Sequence, residues 1–163
     1  MAVPRSTKPR ASLSLDLDNL WSYLRTQGNP DWSNYPSFLD RAVPRILKLL
    51  DALEQRITIF IVGRDLELSA HRSLFLELAA RGHELGNHSY NHGIDFHRAS
   101  RSMVIDEIEQ TEHAIESLGA PRPYGFRGPS FRLSATILEV LAERNSAYGA
   151  STFPTFFGPP IVR

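Results

Sequence analysis

Ile57-Thr-Ile-Phe-Ile-Val-Gly63 is an unbroken β-branched and aromatic run closed by a glycine. A strand that shows water on one face alternates polar and apolar residues. This one does not, so it reads as a strand buried on both faces, the kind that parallel sheets contain. Upstream, residues 40–55 carry Ile46, Leu47, Leu49, Leu50 and Leu53 at helical spacing, with Pro44 early enough to be tolerated in a first turn. Downstream, residues 69–81 read as a helix stopped by Gly82, and 83–87 as a short strand. A second amphipathic helix over 100–118 is stopped by Gly119 and Pro121. Residues 124–127 are strand-like, 134–145 helical with Ser134 as N-cap, and 147–150 begin another strand.

Before the opening run, residues 11–17 alternate: Ser12, Ser14, Asp16 and then Asp18 on one side, Leu13, Leu15 and Leu17 on the other. Residues 19–36 mix Gly, Pro, Asn and aromatics without a period and read as a long loop. The order is therefore βαβαβαβαβ, five strands of an α/β fold. Such alternation implies parallel strands joined by right-handed crossovers, in an α/β barrel or an open doubly wound sheet. Either way, functional groups collect at the C-terminal ends of the strands. Asp16 and Asp18 end the first strand, His88 and His92 follow the third, and Arg127 ends the fourth, so all five fall on one rim.

The 163 residues suit one domain, taken as 11–163 after a flexible tail over 1–10, with no internal boundary. With 42% hydrophobic and 22% charged residues the chain can bury a core. Eighteen basic residues balance eighteen acidic ones, which argues against nucleic acid or an anionic membrane surface as a partner. No apolar run approaches the length of a membrane span, and the N-terminus lacks a signal-peptide core, so the chain reads as cytoplasmic as it stands. Cysteine is absent, so any metal must be held by His, Asp or Glu.

His88-Ser-Tyr-Asn-His92 lets two imidazoles reach one ion if the segment makes a helical turn or a tight loop, although two exposed loop histidines would show the same spacing. Asp16 and Asp18, two apart on a strand, deliver two carboxylates to one spot. They need a counter-charge, from a metal or from Arg127. One carboxylate and two neutral imidazoles make the usual layout of catalytic zinc, with a fourth position for water. His83 lies in a short strand and reads as structural. The aromatics Trp21, Tyr23, Trp32 and Tyr35 fit either stacking on sugar rings or packing on the core.

Arg81-Gly-His-Glu-Leu-Gly-Asn-His-Ser-Tyr-Asn-His92 resembles the second motif of the polysaccharide deacetylases, carbohydrate esterase family four. Asp16-Leu-Asp18 is similar to their first motif and Phe126-Arg-Gly-Pro-Ser130 to their third, in the family's order. The resemblance implies a (β/α) barrel of about seven strands, of which five are counted here. It implies metal-dependent hydrolysis of an N-acetyl or related N-acyl group on an amino sugar. Asp18, His88 and His92 would hold one divalent ion, most simply Zn2+. Asp16 would be the general base, Arg127 would orient it, and a backbone N–H near Ser130 would stabilise the oxyanion.

Two departures stand out. Leu17 separates the two aspartates, as in a divergent branch of the family, which leaves Asp16 and Asp18 open to exchange of roles. Ser130 stands where the family has an aromatic, with Phe131 next. The resemblance also implies a general-acid histidine in a later motif, and none follows His113. Together with the apolar stretch over 153–163, this makes an N-terminal fragment the expectation, with association through an incomplete sheet. Three activities fit: a deacetylase, a truncated or degenerate metal- and glycan-binding module without turnover, and an amidohydrolase acting on a small non-sugar substrate.

Overall fold

The computed structural model describes residues 11–152. Five strands, β1 (Ser14–Leu17), β2 (Thr58–Ile61), β3 (Glu84–Asn87), β4 (Gly125–Phe126) and β5 (Tyr148–Gly149), form one parallel sheet in the order β1-β2-β3-β4-β5. A doubly wound sheet reverses its strand order partway. This one never reverses, which is the progression of a (β/α) barrel and decides between the two expected architectures.

The register explains the composition of each strand. Asp16 pairs with Phe60 and Phe60 with Gly86, while Leu17 pairs with Ile61 and Leu15 with Ile59. Side chains alternate faces along a strand. One face of the sheet therefore carries Leu17, Ile59, Ile61 and Leu85, which pack with residues of α2 (Leu39–Ala52) and α3 (Ser69–Ala80) in the larger core. Phe126 of β4 joins Val104 and Ile108 of α4 (Arg101–Glu116) and Ile137, Val140 and Leu141 of α5 (Ala135–Glu143) in a second cluster. The opposite, inner face carries Ser14, Asp16, Thr58, Phe60, Glu84 and Gly86. The opening run is thus buried on both faces: Ile59, Phe60, Ile61 and Val62 are all inaccessible.

The Ser134 N-cap is present, its side chain accepting the Ile137 N–H at 3.3 Å. One expectation fails. Residues 19–36 are not a structureless loop: α1 (Leu20–Thr26) and a 3-10 turn (Trp32–Asn34) lie within them. The Asn19 side chain caps the helix by accepting the Leu20 N–H at 2.8 Å, and Trp21 and Ser22 are buried. A seven-residue helix shows too little periodicity to be read from sequence, and tertiary burial of its first turn holds it. The flexible tail over 1–10 and the apolar stretch over 153–163 lie outside the described residues. Among the described residues no helix is long and apolar enough to cross a membrane.

Candidate metal centre

Three segments converge beyond the C-terminal ends of β1, β3 and β4. Asp18 directly follows β1 and precedes the capping residue of α1. Its Oδ1 lies 3.4 Å from His88 Nε2 and 3.5 Å from His92 Nε2. Nitrogen and oxygen ligand atoms of all three residues lie within 4.8 Å of one another. The pair His88 and His92 meets by a tight loop rather than a helical turn, because Ser89 and His92 adopt left-handed backbone conformations, at φ 61 and 49. The Ser89 hydroxyl accepts the His92 N–H at 3.2 Å, closing the turn.

The backbone carbonyl of Arg127 lies 2.6 Å from His88 Nδ1. A carbonyl only accepts, so Nδ1 carries the proton and Nε2 presents its lone pair to the cluster. Burial pushes both imidazoles below their ordinary value of 6.5, His88 most directly, with Asp18 opposing the shift and His92 adding to it. Both rings are neutral at neutral pH. Burial pushes Asp18 in the opposite direction, upward, partly offset by His88 and reinforced by Asp16. Its buried Oδ1 has no hydrogen-bond partner. An orphaned carboxylate oxygen facing the Nε2 atoms of two buried imidazoles is a donor set that fits a divalent cation, which would relieve the cost of burying that charge.

Asp16 stands beside this triad. Its Oδ2 is 3.9 Å from His88 Nε2, while its Oδ1 accepts from Arg127 Nη1 at 2.5 Å. The other two guanidinium nitrogens donate to the Ser14 hydroxyl, 2.7 Å, and the Ala150 carbonyl, 2.9 Å. The guanidinium lies 4.2 Å from the centre of the Phe60 ring and 5.1 Å from that of Phe131. Each of the three guanidinium nitrogens of Arg127 has a partner and two aromatic rings flank its plane, which fixes the arginine that holds Asp16. Of the two carboxylates, Asp18 is the one that meets both imidazoles.

The structure thus brings Asp16, Asp18, His88, His92 and Arg127 together. Ser130 is exposed in the 3-10 turn Pro129–Phe131, with φ 56, three residues beyond Arg127. Beside His92 a groove of ≈ 540 Å³ is lined by Arg25, Asn91, Ile94, Phe96 and Glu107 among others.

Of the four aromatics, Trp21 packs inward and donates Nε1–H to Asp65 at 2.8 Å, and Trp32 lies 5.7 Å from it, centroid to centroid. Tyr23 and Tyr35 are exposed. His83 is buried, its Nδ1 accepting the Ile57 N–H at 3.3 Å, in keeping with a structural role. Sequence reasoning missed Asp65, which is buried and accepts at Oδ1 from Asn19 Nδ2 at 2.9 Å as well as from Trp21. It also missed Glu107 and Asn87, which contact the histidine loop. Asp65 and Glu107 carry no motif, and only the fold puts them beside the site; Asn87 lies within the motif stretch next to His88, and its acceptance of the Ser89 N–H is what the sequence did not show.

A family model for polysaccharide deacetylase matches residues 28–149. The chain belongs to that family. A bifunctional xylanase/xylan deacetylase of Cellvibrio japonicus is 37% identical over 86 residues, 52% of this chain and 12% of that protein. Among solved structures, a family member from Mycobacterium smegmatis superposes with a TM-score of 0.74 at 22% identity, over 86% of this chain and 50% of that one. A family-four pseudoenzyme from Bacillus anthracis superposes with a TM-score of 0.66 at 19% identity, over 85% of this chain and 41% of that one. These likenesses establish the (β/α) barrel fold. The polysaccharide deacetylase chain described here spans 42% or less of the length of its curated relatives.

Proposed function

We propose that this chain carries the metal-binding half of a deacetylase site that hydrolyses an N-acetyl or related N-acyl group on an amino sugar. The observation that carries this is the buried, unpartnered Asp18 Oδ1 facing the Nε2 atoms of His88 and His92. Zinc held by these three residues would polarise the substrate carbonyl and lower the pKa of a bound water to about 7. Asp16 would act as general base, since Arg127 pairs with its Oδ1 and aims it while its Oδ2 faces the triad. A backbone N–H at Ser130 would stabilise negative charge on the carbonyl oxygen, and the groove beside His92 offers room for a sugar ring.

A second reading, a module that binds metal and glycan without turnover, is favoured by one observation: a structural neighbour is a family-four pseudoenzyme.

Metal analysis of the purified chain tests the centre. It should take up one zinc, and His88→Ala or His92→Ala should lose it. A metal-free preparation that takes up no added zinc overturns the proposal. Acetate release from N-acetylglucosamine oligomers, acetylated xylan and small N-acyl amides then separates the activities. Turnover of the first supports the N-deacetylase, and turnover of xylan alone replaces it with an esterase. Turnover of the amides alone points to a small-molecule amidohydrolase, and zinc without turnover to the binding module.

A further inference from the structure

Between the two histidine ligands lies a three-residue segment, Ser89-Tyr90-Asn91, whose backbone is gripped from two sides. On one side its carbonyls are taken by the segment that follows β2: the Gly63 N–H donates to Ser89 O and the Arg64 N–H to Tyr90 O, each at 3.0 Å. On the other side stands Glu107 of α4. Its Oε2 accepts the Tyr90 N–H at 2.9 Å and the Asn91 N–H at 2.8 Å, and its Oε1 accepts the Asn91 side-chain amide at 2.6 Å. The Asn91 carbonyl in turn accepts from Arg25 at 3.0 Å.

With the Ser89 N–H donating to Asn87 Oδ1 at 2.9 Å, this accounts for the backbone polar groups of a loop with no regular structure, and the two consecutive N–H groups of Tyr90 and Asn91 share one carboxylate oxygen. Hydrogen bonds to an ionised acceptor are shorter and about twice as strong as neutral ones. The loop needs such an anchor, because it holds two non-glycine residues, Ser89 and His92, in left-handed conformations. Each costs of order 1 kcal/mol unless its surroundings fix it. The carboxylate acts on the ligands through its hydrogen bonds to the chain between them, and its charge is also felt through space by His92.

We infer that Glu107 is the positioning residue of the histidine pair: its carboxylate presets the loop so that both Nε2 atoms already converge before metal arrives. The inference rests on the metal centre proposed above. A ligand pair preset in this way binds without first ordering its loop, and supporting contacts of this kind are worth roughly 10–100-fold in metal affinity.

The test is zinc affinity, by competition with a chromophoric chelator, for the unmutated chain and for Glu107→Gln. The amide places one acceptor oxygen where two were used and turns an N–H₂ toward the loop. Glu109→Gln serves as control: it lies on the same helix and loses an ion pair to Arg144 remote from the loop. The expected result is a 10–100-fold weaker affinity in Glu107→Gln, near the unmutated value in Glu109→Gln, with faster amide exchange at Tyr90 and Asn91 in the first variant only.

If Glu107→Gln fails to fold, Glu107→Asp keeps the charge but withdraws it by one methylene, and the same loss of affinity is expected. Equal zinc affinity in a folded Glu107 variant overturns this inference and leaves the metal centre standing. An unmutated chain that takes up no zinc overturns the metal centre and this inference with it.

Discussion

Arg127 joins both halves of the candidate site: its side chain holds Asp16 and its backbone carbonyl fixes the His88 tautomer. Replacing it by methionine keeps the stem over Phe60 and removes the charge. The expected outcome is a loss of about 3 kcal/mol in urea unfolding, the usual result of stripping a largely buried carboxylate of its partner. Zinc affinity should change less than in His88→Ala, since the carbonyl that orients His88 remains. His83 supplies a pH prediction. Burial lowers its pKa from 6.5, and its unprotonated Nδ1 accepts from Ile57. A base whose folded pKa is depressed contributes stability above its unfolded value, and that contribution is lost as pH falls from about 6.5 toward the folded value. Stability of the metal-free chain should therefore drop on acidification below pH 6.5, and the slope should flatten in His83→Gln. An unchanged slope in urea midpoints between pH 8 and 5.5 would contradict this.

Among the elements, β2 and β3 meet at a contact that admits no side chain. A Cβ on Gly86 would lie 2.6 Å from the Phe60 ring, so Gly86→Ala should destabilise by about 1–3 kcal/mol, and a Phe60→Leu background should recover part of that loss in a double-mutant cycle. The opening run around Phe60 was legible because a strand buried on both faces leaves no polar alternation. The rim was legible for a related reason: parallel strands put Asp16, Asp18, His88, His92 and Arg127 at one end by topology alone. Helix α1 was not legible, since what holds it is Asn19 and Trp21 bonding to Asp65, 46 and 44 residues away. Glu107 was hidden likewise. On α4 it reads as one more polar residue of an amphipathic helix, and its partners are backbone N–H groups, which have no signature in sequence. Which of Asp16 and Asp18 lies nearer both imidazoles needed coordinates, because strand alternation gives the two carboxylates the same direction.

For the whole molecule, the described sheet leaves the outer edges of β1 and β5 without partners among the described residues, and Leu13 just before β1 is 61% exposed. Open edges invite pairing with another chain. The 163-residue chain is expected to sediment above its 18.4 kDa monomer mass at roughly 50 μM, and Leu13→Lys to shift it toward monomer. A monomer at all concentrations would refute this. Those two edges are nevertheless not far apart. In a flat sheet β4 and β1 stand three spacings of about 4.8 Å from each other, and side chains rising perpendicular to it stay some 14 Å apart at their tips. Arg127, next to β4, grips Ser14 and Asp16 on β1 and Ala150 beside β5, and Thr58 on β2 comes within 3.4 Å of the Tyr148 hydroxyl on β5. These are chords drawn across an arc. They mean that five strands already bend through much of a cylinder, and that the arginine steadying the candidate base also sets the radius of the wall around it.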